Sequence, residues 1–150
     1  MLVLAVVVAG LLLWNHFKPA PDAESETNPA ATVTYTVRFN KWREGTSDMV
    51  QPGDDLADNV KNFNMGTVVS VESVPAVSST LDAKDRRYVQ AEIPGYEDVL
   101  VTVKSPCTLS GEDIVLDGGY VLKVGTLTYV RGVGYMGSGP VISIDREEQA

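Results

Sequence analysis

The chain has almost none of the side chains on which thiol and imidazole chemistry depends. Cys107 is its one cysteine and His16 its one histidine. A single thiol cannot form a disulfide within the chain, and it excludes zinc sites built from several cysteines. Because the histidine lies near the N-terminus, catalytic triads and metal clusters that need histidine are excluded from the later part of the chain. We expect Cys107 to be a small buried residue at the end of a strand.

Basic residues are also scarce. The chain contains 12 lysines and arginines against 20 aspartates and glutamates, and its net charge is −8. Of the acids, only Asp22, Glu24 and Glu26 precede residue 32, so the negative charge belongs mainly to the later part of the chain. An acidic surface repels phosphate groups, and we therefore expect no nucleic acid among the partners.

The one long apolar run extends from Leu2 to Trp14. As a helix it would reach about 20 Å, whereas the hydrocarbon core of a membrane is about 30 Å thick. Phe17 and Lys18, which follow it, are typical of the interfacial end of a membrane helix. We expect residues 1–17 to be a transmembrane anchor whose first part precedes this sequence, with a secretory signal peptide as the alternative.

Residues 18–31 are rich in proline and acidic side chains and predict an extended linker. From residue 32 the pattern changes to a two-residue period, which is typical of half-buried strands. The apolar residues of the first strand are expected to share one face: Val33, Tyr35, Val37 and Phe39. Similar patterns predict strands over residues 67–74, 86–93, 99–104, 113–116, 120–124, 126–131 and 141–145.

Glycine and proline between these strands indicate turns. We expect Pro75 to end a strand, residues 78–85 to form a polar loop, and Pro94-Gly95 to turn the chain. The one helical candidate is short and covers residues 55–63. The fold predicted for residues 32–150 is all-β, a small barrel or sandwich of about seven or eight short strands, preceded by the transmembrane helix. The close glycines favour the barrel.

Several turn and strand motifs follow the membrane segment in order: a Thr-Val-Arg strand, then Val50–Leu56, Met65–Glu72, Pro94–Val103 and Val124-Gly125. In these motifs the chain resembles a bacterial family of single-pass membrane proteins, the DUF4330 domain of unknown function. The resemblance extends from the membrane segment to Asp145. It implies a location in the cell membrane. It implies no catalytic residues, because the family has no assigned activity.

Residues 132–137 match the pattern G-x-G-x-x-G. A dinucleotide site needs a helix directly after this loop and an acidic residue about 20 positions later. Here Ser138-Gly139-Pro140 and a predicted strand follow instead. We therefore interpret the glycines as a hairpin loop or bulge that uses positive φ angles, and we expect no cofactor.

Asp54, Asp55 and Asp58 could attract calcium, because hard cations prefer several oxygen ligands. These acids lack the alternate spacing and the bidentate glutamate of an EF-hand loop. The favoured interpretation is a turn and a helix start, with carboxylates near the positive end of the helix. No metal site is predicted, and a calcium- or ligand-binding module is kept as an alternative function.

The sharpest enzyme hypothesis pairs Ser47 with Lys84. Membrane-anchored signal peptidases place a serine before a methionine and a later Pro-Gly-Asp turn, and a lysine before an arginine-rich stretch. A buried lysine with a lowered pKa could act as the base. Lys84, however, lies between Asp82 and Asp85 in a polar stretch, so we expect it to be solvated. An extracytoplasmic Ser/Lys peptidase is therefore an alternative, and we predict that the chain is not an enzyme.

Trp42, Tyr96 and Tyr135 could form an aromatic face that recognises a glycan or a peptide, although aromatic residues more often pack at strand ends. The predicted function is a non-catalytic, extracytoplasmic β domain that binds or organises another envelope component, either a protein or a glycan. Residues 1–17 are expected to tether this domain to the cell membrane.

Overall fold

The structure, a computed structural model, describes residues 31–147. Within them the chain is all-β, as the sequence predicts, and its strands form one antiparallel sheet of eight. The strands are β1 (Ala31–Arg43), β2 (Asp55–Asp58), β3 (Asn64–Asp82), β4 (Arg87–Ser110), β5 (Asp113–Leu116), β6 (Tyr120–Leu122), β7 (Leu127–Arg131) and β8 (Met136–Glu147). A 3₁₀ turn, Thr46–Met49, follows β1.

The sheet closes on itself. Its strand order is β1-β8-β7-β2-β3-β4-β5-β6, and β1 also pairs with β4. Six strands therefore form a closed ring, β1-β8-β7-β2-β3-β4, whereas β5 and β6 continue from β4 as a hairpin outside the ring. A sheet that closes in this way has no unpaired edge along the ring, which is the arrangement of a barrel rather than of a sandwich.

The core lies inside the ring and consists of alternate residues of adjacent strands. The β1–β4 pairing sets Tyr35 opposite Val103, Val37 opposite Val101, and Phe39 opposite Val99. None of these side chains is more than 1% exposed. This confirms the apolar face predicted for the first strand. Cys107 is also buried, as expected, but it lies inside β4 rather than at the end of a strand.

The short helix predicted over residues 55–63 does not form. Asp55–Asp58 is strand β2, which pairs with β3 on one side and with β7 on the other. Leu56 is buried in the core, and the chain then turns through Asn62 at φ 62°. Strand pairing satisfies the backbone groups of this segment, and a left-handed residue cannot continue a right-handed helix.

Strands β3 and β4 are much longer than predicted. Both continue beyond the ring as a two-stranded antiparallel hairpin, residues 76–93, which we call the arm. Its last pair is Asp82 with Arg87, and residues 83–86 form the turn at its tip. No other strand of the described residues pairs with the arm. At about 3.3 Å per residue, the arm extends roughly 20 Å beyond the ring.

Three turn predictions are therefore wrong. Pro75 does not end β3, Pro94-Gly95 lies inside β4, and residues 78–82 are strand rather than loop. Proline can remain in a strand where no neighbour needs its N–H, and both prolines lie where the arm leaves the ring. The pairing is irregular at this point, between Pro75 and Val77, and Gly95 adopts φ 78°.

The arm and the beginning of β1 lie at opposite ends of the domain. β1 runs from Ala31, beside Cys107, to Arg43, beside Tyr96 at the base of the arm. The transmembrane anchor predicted for residues 1–17 lies outside the described residues, as does nearly all of the predicted linker. In the described part of the chain, no helix has the length and apolar character needed to cross a membrane.

The glycine pattern at residues 132–137 belongs to the hairpin between β7 and β8, as interpreted from the sequence, but of its three glycines only Gly134 has a positive φ, at 84°. Gly139, further along β8, packs against the backbone of β1. A Cβ atom at this position would overlap the carbonyl oxygen of Arg38. The close approach of β8 to β1 therefore depends on a residue without a side chain.

Candidate functional site

Two adjacent acids lie buried where the arm leaves the ring. Glu97 and Asp98 of β4 are each 6% exposed. Because side chains alternate along a strand, the two carboxylates point to opposite sides of β4 and contact different segments. Together they hold the end of β1 and the 3₁₀ turn that follows it.

Asp98 stabilises a bulge in β1. The β1–β4 register shifts between Phe39 and Trp42, and Lys41 adopts φ 56° inside this irregular stretch. Oδ1 of Asp98 accepts a hydrogen bond from the backbone nitrogen of Lys41 at 2.8 Å. Oδ2 lies 3.1 Å from Nε of Arg38. A buried carboxylate needs such partners to offset its lost hydration.

Glu97 stabilises the 3₁₀ turn. Oε1 accepts a hydrogen bond from the backbone nitrogen of Ser47 at 2.8 Å, and Oε2 accepts one from the hydroxyl of Ser73 on β3. Burial by itself would raise the pKa of Glu97, but hydrogen bonds from Ser73, Ser47 and Gly45 outweigh it and hold that pKa below its ordinary value of 4.5. Glu97 is therefore ionised at neutral pH, with both oxygens engaged.

A groove of about 460 Å³ lies beside Glu97, between the segment that follows β1, the base of β3 and the irregular part of β4. Its lining includes Val74, Pro75, Ile93, Pro94, Tyr96, Glu44, Glu92 and Glu97, and none of its lining residues is basic. Glu44 and Glu92 are exposed. Among the described residues, neither takes part in a salt bridge. We call this feature the groove.

The groove combines an apolar wall with two exposed carboxylates. Glu97 is unavailable to a ligand, because Ser47 and Ser73 already occupy its oxygens. The carboxylates that remain, those of Glu44 and Glu92, can attract a cationic group, while the wall can hold the aliphatic stem of a lysine or arginine. The chemistry favours recognition of an extended segment with a basic side chain.

The structure does not bring Ser47 and Lys84 together. The backbone of Ser47 is bonded to Glu97 at the base of the arm, and Glu97 stands opposite Pro75 in the β3–β4 pairing. Lys84 is exposed in the turn at the tip, where its backbone nitrogen donates to Oδ1 of Asp82 at 2.9 Å. The paired strands of the arm separate the two residues by roughly 20 Å.

The three aromatic candidates divide into a pair and a single residue. Trp42 stacks on Phe39 with ring centroids 5.3 Å apart, and it meets the edge of Tyr135 at 6.1 Å. Trp42 stands opposite Glu97, whereas Tyr96 stands opposite Arg43, so Tyr96 points to the other side of the sheet. Tyr96 is 43% exposed and lines the groove. The three rings therefore form no common face.

The three acidic candidates support separate parts of the backbone. Oδ2 of Asp54 accepts from the backbone of Gln51 at 3.0 Å and from the hydroxyl of Tyr135 at 2.9 Å. Asp55 accepts from the hydroxyl of Thr67 at 2.8 Å. Asp58 accepts from the two backbone nitrogens of the turn that follows it, those of Val60 and Lys61. Within residues 31–147, no group of three or more acidic, cysteine or histidine side chains is placed to hold a metal ion.

A second concavity, of about 350 Å³, lies at the opposite end, between the β5–β6 hairpin and β8. Its charges are mixed, since its lining includes Asp113 and Lys123 as well as Glu112 and Arg146. Nζ of Lys123 lies 2.9 Å from Oδ1 of Asp113, so these two charges satisfy each other. This concavity offers less net charge to a ligand than the groove does.

The roles of Glu97 and Asp98 were not predicted from the sequence. One signal could have indicated them: two consecutive acids directly precede Val99, Val101 and Val103, an apolar alternation that predicts a core strand. A strand that enters a core carries such acids only where they have partners. Those partners come from β1, β3 and the 3₁₀ turn, all of which are far from Glu97 and Asp98 in the sequence.

One comparison identifies a family. The family model described as "Domain of unknown function (DUF4330)" matches residues 1–145. No curated protein and no solved structure matches the chain significantly.

Proposed function

This chain belongs to the DUF4330 family, a domain of unknown function, and we propose that it is a non-catalytic binding module that holds an extended, basic segment of another envelope protein in the groove. The observation that carries the proposal is the composition of the groove. An apolar wall lies beside the exposed carboxylates of Glu44 and Glu92, and no residue that lines the groove is basic. In this proposal the domain is extracytoplasmic and is tethered to the cell membrane by residues 1–17.

The unpaired strand edges of the arm are further evidence for the proposal that the ligand is extended. In β4, pairing with β1 reaches Tyr96, and one further bond joins the nitrogen of Glu44 to the oxygen of Gly95 at 3.0 Å. Beyond that bond, among the described strands, residues 87–92 pair with β3 alone. An unpaired strand edge can add a strand from a partner, with main-chain hydrogen bonds supplying affinity.

The end at which β1 begins also supports this role. Because β1 begins at the end opposite the arm, a tether attached before Ala31 leaves the groove and the arm at the far end from the membrane. A partner in the envelope could then reach the groove without contacting the bilayer.

The environment of the aromatic residues indicates a protein partner rather than a glycan. Carbohydrate recognition uses exposed rings as platforms, but Trp42 is partly buried and packs against Phe39 and Tyr135. Tyr96 is the one ring of the three that lines the groove, and exposed carboxylates accompany it. This combination suits a cationic peptide better than a neutral sugar.

The proposal is tested with the full 150-residue chain in detergent micelles and a fluorescent peptide of alternating lysine and valine. We expect saturable binding by fluorescence anisotropy that weakens as salt is added, because exposed charges are screened. Replacing both rim carboxylates (Glu44→Gln with Glu92→Gln) should weaken binding by about fivefold, as expected for two exposed ion pairs.

The matched control changes the same number of charges at the opposite end, Glu112→Gln with Asp145→Asn, and should leave the affinity unchanged. The proposal is wrong if both double variants bind the peptide equally, or if a peptide of alternating glutamate and valine binds as well. Saturable binding of a neutral oligosaccharide, with no binding of the basic peptide, would instead support the glycan alternative.

A further inference from the structure

We infer that the basic segment accepted by the groove is the tip of the arm of a second copy of this chain, so that two copies associate through antiparallel arms. This inference rests on the proposed function, because it names the partner of the same groove. Its basis is the charge distribution along the arm, which is basic at the tip and acidic at the base.

The basic end is the turn at the tip. Asp82 is occupied by the turn itself, since Oδ1 accepts the backbone nitrogens of Lys84 at 2.9 Å and of Asp85 at 3.4 Å. Asp85 lies 3.5 Å from Arg87. In the described part of the chain, Lys84 and Arg86 are exposed and have no salt-bridge partner. Residues 82–87 carry three cations and two anions, so the tip is net positive by one charge and presents Lys84 and Arg86 to solvent.

The acidic end is the groove, where Glu44 and Glu92 are likewise exposed and without ion-pair partners among the described residues. The arm and the groove at its base thus carry both halves of a complementary pair, about 20 Å apart along the strands of the arm. When two identical arms lie antiparallel about a two-fold axis, each tip meets the base of the other arm. The same distance separates the two contacts in both copies, so both form at once.

The surface between the two ends also supports this association. Leu81 and Tyr88 stand opposite each other in the arm, and they are 56% and 75% exposed. Val77 is 41% exposed and lies four residues before Leu81 along the same strand, so it faces the same side. A second arm laid alongside would cover these apolar side chains, which water now contacts.

The test uses charge reversal in the full chain, with sedimentation velocity as the measurement. One variant reverses the tip (Lys84→Glu with Arg86→Asp), and aspartate is chosen because Arg86 has φ 51° and aspartate tolerates that region. The other variant reverses the groove (Glu44→Lys with Glu92→Lys). We expect each variant alone to lose association by about tenfold or more, as expected for like charges placed opposite each other.

Mixing the two variants should restore association, because in the mixed pair both tip-to-groove contacts again join opposite charges. The control is Lys61→Glu, which reverses an exposed charge outside the arm and the groove and should associate like the native chain. Any contribution of residues 1–30 to association is common to this control and to the other variants. Restored association in the mixture supports the inference. Association of either reversed variant at native strength, or failure of the mixture to associate while both variants retain native circular dichroism, overturns it.

The two proposals fail in different ways. If the chain binds the lysine–valine peptide but shows no association sensitive to the tip or the groove, the second copy is not the partner and the proposed function stands. If the peptide does not bind and association is also insensitive to these charges, both proposals are wrong.

Discussion

Ser73 of β3 donates its hydroxyl hydrogen to the buried carboxylate of Glu97 on β4, and this bond joins the two strands at the point where the arm leaves the ring. The same carboxylate accepts the backbone nitrogen of Ser47 at 2.8 Å. One side chain therefore connects β3, β4 and the 3₁₀ turn, and it sets the position of the groove relative to the ring.

Replacing Glu97 by glutamine should destabilise the domain by about 1–2 kcal/mol, because the neutral amide turns two charge-assisted hydrogen bonds, from Ser47 and Ser73, into weaker neutral ones. Urea unfolding followed by tryptophan fluorescence measures the change. The control is Glu92→Gln on the same strand, which is exposed and should change stability by less than about 0.5 kcal/mol. Equal stability of the two variants would contradict the role given to Glu97.

The effect of Glu97→Gln should depend on pH. The pKa of Glu97 is held below its ordinary value of 4.5, against the effect of burial, by its hydrogen bonds to Ser73 and Ser47. A carboxyl with a depressed pKa contributes stability above the ordinary value, and that contribution is lost as the pH falls through the folded-state value. Unfolding measured from pH 7 downward should therefore show the native chain and the variant converging as the pH falls below the ordinary value of 4.5. A constant difference would contradict this prediction.

Replacing Tyr35 by phenylalanine should cost about 1–3 kcal/mol, because the carbonyl oxygen of Met65 then loses a buried hydrogen bond of 2.6 Å. Burial, with a smaller contribution from Tyr120, raises the pKa of Tyr35 above its ordinary value of 10.0. A group whose pKa is raised on folding contributes stability below its ordinary pKa, and this contribution is lost as the pH rises above that value. The native chain should therefore lose more stability above about pH 10 than Tyr35→Phe does. Tyr88→Phe, at an exposed position, is the neutral-pH control.

Replacing Gly139 by alanine should destabilise the domain by about 3 kcal/mol, because the added Cβ overlaps the carbonyl oxygen of Arg38 and must push β8 away from β1. Thermal unfolding by circular dichroism measures the loss. Ser138→Ala changes the neighbouring, exposed residue and should be nearly neutral. Similar melting of both variants would show that the ring tolerates a wider separation of β8 and β1.

The thiol of Cys107 should react slowly in the folded protein. Its side chain is buried, and burial raises the pKa of the thiol, partly opposed by the positive charge of Arg146. Reaction with a chromogenic disulfide reagent should be at least about tenfold slower in the native state than in urea. The comparison is Ser110→Cys in a Cys107→Ser background, which places an exposed thiol on the same strand. Equal native rates at the two positions would contradict the burial of Cys107.

The local alternation of side chains was enough to predict most of the strands. Val33 to Phe39 and Val99 to Val103 alternate with a two-residue period, and in the structure both apolar sets face the core. Only the returning strand of the arm was predicted, over residues 86–93, whereas the outgoing strand was interpreted as a loop because most side chains on both faces of the arm are exposed. Its strands need no apolar alternation, and their polar residues resemble a loop. Pro75 and Pro94 strengthened that interpretation, although edge strands accept proline.

The sequence by itself determined that the chain from residue 32 onward is built of strands, as the structure shows for the described residues. It also determined that this part lacks histidine and multiple cysteines for catalysis and that it is acidic, because composition and two-residue periodicity are local properties. Only the tertiary structure decided which strands pair, and therefore that β1 closes the ring on β4 and that Glu44, Glu92 and Tyr96 share one groove. These residues are separated along the chain, and pairing between distant strands depends on the packing of the whole core rather than on any local segment. Likewise, the opposite charges at the two ends of the arm are held roughly 20 Å apart only once β3 and β4 are paired.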